Sequence, residues 1–144
     1  MTIRKDEVIA LMNDFHNVVM YEKGNAEAQA KFFLHPEPRI FIPHGEDISL
    51  QANYEIHQDL TDEKHVILDP WDVTPLCDAP ERARAVCAVY WEGRPVKAAD
   101  SALIKCVVGE DWIVQRIPSG ALRIALYINT YHRFLPDSAP IDLT

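Results

Sequence analysis

The chain has 144 residues, 48% hydrophobic and 25% charged, ordinary values for one globular domain that buries a core without staples. The formal net charge of −8 and the scatter of the 14 Lys and Arg exclude a basic stripe, and with it a nucleic-acid partner, because phosphate binding needs concentrated positive charge. No apolar run reaches the ~20 residues of a membrane helix. The N-terminus lacks the apolar core of a signal peptide, and Cys77, Cys87 and Cys106 form no Cys-x-x-Cys pair, so a reduced, cytoplasmic setting with no membrane contact is expected.

Asp6 is a plausible cap for a first helix, in which Val8, Leu11, Met12, Phe15, Val18 and Val19 keep an i, i+3, i+4, i+7 rhythm and Gly24 is the stop. Asn25 can cap a shorter helix over residues 26–33, which must end before Pro36 and Pro38. A strand then starts at Arg39, and its pleat puts Ile40, Ile42 and His44 on one face and Arg39, Phe41 and Pro43 on the other. Ser49 can cap a third helix from Leu50 to Leu60, with Leu50, Tyr54, His57 and Leu60 turned inward.

From His65 the signal changes to strand. Pro70 and Pro75 make the first of these an edge or bulged strand, since proline removes a ladder donor. After a loop at residues 77–81, Arg82 and Arg84 alternate against Ala83, Ala85, Cys87, Val89 and Trp91, which sets the charged face outside and the Cys87–Trp91 face inside. A turn-like segment at Glu92-Gly93-Arg94-Pro95 leads to a strand in which Asp100 shares the inward face with Ala102, Ile104 and Cys106, provided no bulge intervenes. A second turn-like segment at Gly109-Glu110-Asp111 and a bend at Pro118-Ser119-Gly120 separate the remaining strands, which run to about His132. Residues 134–144 read as a tail that packs loosely or crosses to a neighbour. The whole is a single domain, 1–144, with its core over about 5–133: an α+β fold in which three N-terminal helices cover one face of a strongly curved, mostly antiparallel sheet, forming a cone with an internal pocket.

This order of elements resembles the NTF2-like superfamily, the group with ketosteroid isomerase-like and SnoaL-like members. The likeness is carried by the turn Glu22-Lys23-Gly24-Asn25, the strand end Ile42-Pro43-His44-Gly45, the third helix after Ser49 and Asp111-Trp112-Ile113-Val114. The resemblance implies a pocket, while the superfamily itself holds enzymes, ligand binders and assembly modules. In ketosteroid isomerase-like members a carboxylate base precedes the strand-end proline; here Ile42 stands there. Their hydrogen-bonding acid is similar to Asp100, and the position of their helix-one phenol falls near Asn17, flanked by His16, with no tyrosine. Steroid isomerisation by that mechanism is therefore not expected.

His44 and Asp100, both expected inward near the mouth, are the catalytic candidates, because a carboxylate that holds an imidazole fixes its tautomer and raises its basicity. The alternative is that His44 bonds backbone and Asp100 caps a turn. Phe15, Tyr54, His57, Trp71 and Trp91 are the substrate-binding candidates, as hydrogen-bond donors and apolar walls, or else ordinary core. His35, His44, Glu46 and Asp47 are close in sequence but lack a ligand spacing, so no metal is expected, nor any cofactor. Two functions follow. One is an acid–base lyase, isomerase or cyclase acting on a small apolar cyclic or carbonyl compound; the other is a non-catalytic ligand-binding or dimerisation module. Val86, Ala88, Tyr90, Leu103 and Val107 leave the outer sheet face apolar enough to suggest a homodimer.

Overall fold

The computed structural model describes residues 2–76, 79–98 and 102–140. Helix α1 (Lys5–His16) starts from Arg4 rather than from Asp6, and the Glu7 carboxylate accepts the Arg4 backbone N–H at 2.9 Å. It runs on through a widened π-helical segment, Asn17–Tyr21, and is closed by the Gly24 N–H donating to the Val18 carbonyl at 2.8 Å. Helix α2 (Ala26–Ala30) has the expected Asn25 cap, whose Oδ1 accepts the Ala28 N–H at 3.0 Å, but it stops short of the expected Phe33. Phe33 instead bridges to Ile124 of the sheet. Helix α3 (Leu50–Gln58) is capped by Ser49, whose Oγ accepts the Ala52 N–H at 3.0 Å.

Among the described residues six strands form one sheet in the order β2-β1-β6-β5-β4-β3, where β1 is Arg39–Phe41, β2 Asp47–Ser49, β3 Leu60–Leu76, β4 Ala79–Pro95, β5 Ile104–Arg116 and β6 Leu122–Phe134. Neighbours are antiparallel except β1 and β6, which meet in parallel at Phe41 and Ile128. Strand β3 is one edge of the sheet and is bulged, as its prolines require, but it begins at Leu60 rather than His65. The core lies between the helices and the inner sheet face, around Phe15, Met12, Trp112, Ile104 and Ile124. The ring of Phe15 meets Phe33 and Trp112 edge-on, with centroids 5.5 and 6.0 Å apart, a favoured aromatic geometry.

Three sequence expectations are corrected. Strand β1 ends at Phe41, and the following turn, Pro43–Gly45, holds His44 at φ 78° and exposed, so the pleat that turns Ile40 and Ile42 inward does not extend to His44. Glu92-Gly93-Arg94-Pro95 lies inside β4, and Gly109-Glu110-Asp111 lies inside β5. Gly109 marks a close approach rather than a turn: a Cβ there would run into the Tyr131 ring. The register of β5 against β6 shifts at Gly109/Glu110, which absorbs the crowding without breaking the strand. The tail is also tied down as far as Ala139, since Leu135 and Ala139 donate their N–H groups to the Lys105 and Leu103 carbonyls at 3.0 and 2.9 Å. No helix among the described residues is long and apolar enough to cross a membrane.

Candidate acid–base cavity

Between α1, α3 and the sheet lies a cavity of about 150 Å³. Phe15, Val19, Met20, Ile40, Ile42, Leu60, Val89 and Trp91 give it apolar walls, into which His16, Asn53, His57, Glu110, Tyr127, Asn129 and His132 bring polar groups. A volume of about 150 Å³ is enough for a single benzene-sized ring.

Glu110 is placed by the alternation of β5, where Ile104, Cys106, Trp112 and Val114 are the buried residues of the same face. Its side chain is 3% exposed. One oxygen accepts the Trp112 Nε1–H at 3.1 Å and the other accepts the Tyr127 hydroxyl. His16, at the end of α1, donates Nδ1–H to the Met12 carbonyl at 2.7 Å, and its Nε2 lies 3.7 Å from Glu110 Oε2. Burial works against the charged form of Glu110, but the neighbouring His16 and the hydrogen bonds from Tyr127 and Trp112 together hold it below the usual carboxylate range. Burial first, and then the charge of Glu110, push Tyr127 well above its ordinary value, so it remains a phenol donor. His65 stacks on His16 with ring centroids 4.5 Å apart, and burial together with His16 lowers it to about 4. It is neutral at pH 7.

The second carboxylate is Glu63, turned inward where Asp62, at φ 54°, begins the first bulge of β3. Its side chain is 1% exposed. Glu63 Oε1 accepts His57 Nδ1–H at 2.7 Å and Trp91 Nε1–H at 3.0 Å, while Oε2 accepts Lys23 Nζ at 2.7 Å. Burial opposes ionisation here too, but the hydrogen bonds and charges of His57 and Lys23 outweigh it and lower the Glu63 pKa. The hydrogen bond commits Nδ1 of His57, so the free valence of this cavity-lining imidazole is Nε2. On β6, His132 donates Nε2–H to Asn129 Oδ1 at 3.1 Å, and the buried Asn129 Nδ2 has no partner among the described residues.

The residues singled out from sequence divide accordingly. Phe15, His57 and Trp91 line the cavity. Tyr54 does not; Asn53, one position earlier on α3, takes the inward place and donates Nδ2–H to the fully buried Gln29 at 3.0 Å. Trp71 packs on the far side of α1 beneath Lys5, beside a shallow groove formed with Ile9, Asn13 and His65. His44 stands exposed on its turn, and Asp100 lies outside the described residues. Reasoning from sequence missed Glu110, His16, Tyr127 and Glu63. Parity along residues 104–114 carried the signal for Glu110, and the turn-like composition around it obscured that signal.

No protein-family model matches the chain, and no curated protein sequence matches it. Solved structures do. An NTF2-like protein from Cytophaga hutchinsonii superposes with a TM-score of 0.64 at 10% identity, over 90% of this chain and 98% of that one. A candidate scytalone dehydratase from Novosphingobium aromaticivorans gives a TM-score of 0.71 at 10% identity, over 95% and 88%. A hexachlorocyclohexane dehydrochlorinase (LinA type 2) gives 0.67 at 11%, over 94% and 93%. With three helices packed on a mostly antiparallel, unclosed sheet, the chain has the NTF2-like fold.

Proposed function

We propose that the chain is an acid–base enzyme of the lyase, isomerase or cyclase type that acts on a single-ring, largely apolar compound bearing a carbonyl. The observation that carries this reading is that two imidazole–carboxylate pairs, His57–Glu63 and His16–Glu110, open on one mostly apolar cavity of about 150 Å³. His57 Nε2 takes the proton from the carbon beside the carbonyl, because Glu63 holds Nδ1–H and stabilises the imidazolium that forms. The unpaired Asn129 amide is the donor suited to the oxygen on which negative charge then develops. The proton is returned from imidazolium to the same carbon or its conjugate. His44 and Asp100 have no part in this scheme.

The neighbours by fold are consistent with it: one is named a candidate scytalone dehydratase and another a hexachlorocyclohexane dehydrochlorinase. The test uses cyclohexanone and cyclohexenone in D2O. Protein-dependent deuterium incorporation at the α-carbon, followed by NMR, supports the proposal; saturable binding without exchange, or no binding, counts against it.

A second reading is favoured by one observation. Val66, Tyr90 and Val107 are register partners across β3, β4 and β5 on the outer sheet face, with Val66 and Val86 each 42% exposed. We infer that this row is the contact of a homodimer. Light scattering at micromolar concentration that returns a monomer mass would exclude it.

A further inference from the structure

The turn that separates α1 from α2 carries a lysine in an unusual position. Lys23 adopts φ 52°, the left-handed region that non-glycine residues occupy only at a cost. Its ammonium donates to the His57 carbonyl at 2.9 Å, the Leu60 carbonyl at 2.9 Å and Glu63 Oε2 at 2.7 Å, which uses all of its N–H groups. The backbone around it is held as well: Gln58 Nε2 reaches the Lys23 carbonyl at 3.5 Å, and Gln29 Nε2 donates to the Gly24 carbonyl at 3.0 Å. Side chain and turn thus join the end of α1, the end of α3 and the start of β3 at the residue that carries the cavity imidazole.

We propose that Lys23 is a positioning residue for His57: its ammonium keeps Glu63 an anion aimed at Nδ1 and fixes the last turn of α3, so that Nε2 is presented to the cavity as a base. The inference rests on the acid–base reading of the cavity. From the elements around His57, β3 presents Glu63, the turn presents Lys23, and β4 presents the Trp91 indole; His16, Glu110 and His132 belong to α1, β5 and β6 on the same cavity. A positive charge beside the pair lowers the affinity of His57 for a proton, and Glu63 raises it. Lys23 therefore does more than anchor the turn. Its ammonium offsets the Glu63 carboxylate beside the imidazole, while Glu63 fixes the orientation of the ring.

The experiment is an NMR titration of the His57 ring, assigned by loss of its signal in His57→Gln. In Lys23→Gln, and in Lys23→Met, which keeps the aliphatic stem, the midpoint is expected to rise by about one pH unit, because Glu63 is left without its compensating charge. Lys23→Arg is expected to hold the wild-type midpoint. Either charge-removing variant, folded and with an unmoved midpoint, overturns the proposal and leaves Lys23 a purely structural tie. Glu63→Gln separates the two ideas: it is expected to lower the midpoint, and if it leaves the midpoint unchanged, the His57–Glu63 pair itself is wrong and the functional reading fails with it.

Discussion

Glu110 and Glu63 are built alike up to their last partner. Each is a buried carboxylate that meets an imidazole and accepts an indole N–H, from Trp112 in one case and Trp91 in the other. Glu110 is completed by the Tyr127 hydroxyl, and its imidazole, His16, lies 3.7 Å away with a side chain 4% exposed. Glu63 is completed by the Lys23 ammonium, and its imidazole lies 2.7 Å away with a side chain 14% exposed. The difference assigns the work. Around Glu110 the hydrogen-bond donors are an enclosed phenol and an enclosed indole, which suits a fixed charge that orders the core, whereas around Glu63 an ammonium also donates and the imidazole lines the cavity.

Substitutions can break or sharpen that contrast. Glu110→Ala should be the most damaging, at about 3–5 kcal/mol in denaturant unfolding, because Tyr127 and Trp112 lose a shared buried acceptor and His16 loses the carboxylate it faces. A loss under about 1 kcal/mol would show that the cluster is not a structural keystone.

Next is the pair that fastens α1 to the end of β5. Arg116 donates to both oxygens of Glu7 at 3.1 and 3.0 Å, and this bond above all lowers the Glu7 pKa to about 2. Glu7→Gln should cost about 2 kcal/mol at pH 7. Since the folded value lies below the ordinary 4.5, the stabilisation is complete above 4.5 and disappears as pH falls toward 2. The variant's stability curve should therefore converge on the parent's in acid.

His65 gives a smaller effect in a different window. Its folded value of about 4 lies below the ordinary 6.5, so the unfolded chain binds the proton more tightly, and stability falls as pH drops from 6.5 toward 4. His65→Gln should flatten that segment of the curve by about 1–2 kcal/mol, read by thermal or urea unfolding at matched pH. His44→Gly should have the least effect: within about 1 kcal/mol of the parent or slightly more stable, because glycine accepts φ 78° freely, with no change in exchange activity.

The helices and the inner face of β4 were legible because their signals are local. Asn25 and Ser49 cap the helices that follow them, and Ala83, Ala85, Cys87, Val89 and Trp91 are buried in the alternation that the arginines define. His57 and Phe15 reached the cavity for the same reason. The rest of the site was hidden by tertiary causes. Gly109-Glu110-Asp111 has turn composition, yet the glycine makes room for Tyr131, the glutamate is a buried acceptor, and Asp111 faces outward to Arg84 at 2.6 Å. Glu63 lies in the polar run Thr61-Asp62-Glu63-Lys64, which looks like a loop until the bulge of β3 turns one carboxylate inward. His44 failed in the opposite direction, because a strand too short to hold its pleat gave way to a left-handed turn.

The most direct measurement compares α-carbon deuterium exchange into cyclohexanone by the parent and by His57→Gln at pH 7, with unfolding curves of both. The account predicts measurable exchange by the parent and a fall of about 100- to 10,000-fold in the variant, with stability changed by about 1 kcal/mol or less. Equal rates in two folded proteins would contradict the assignment of His57 as the base.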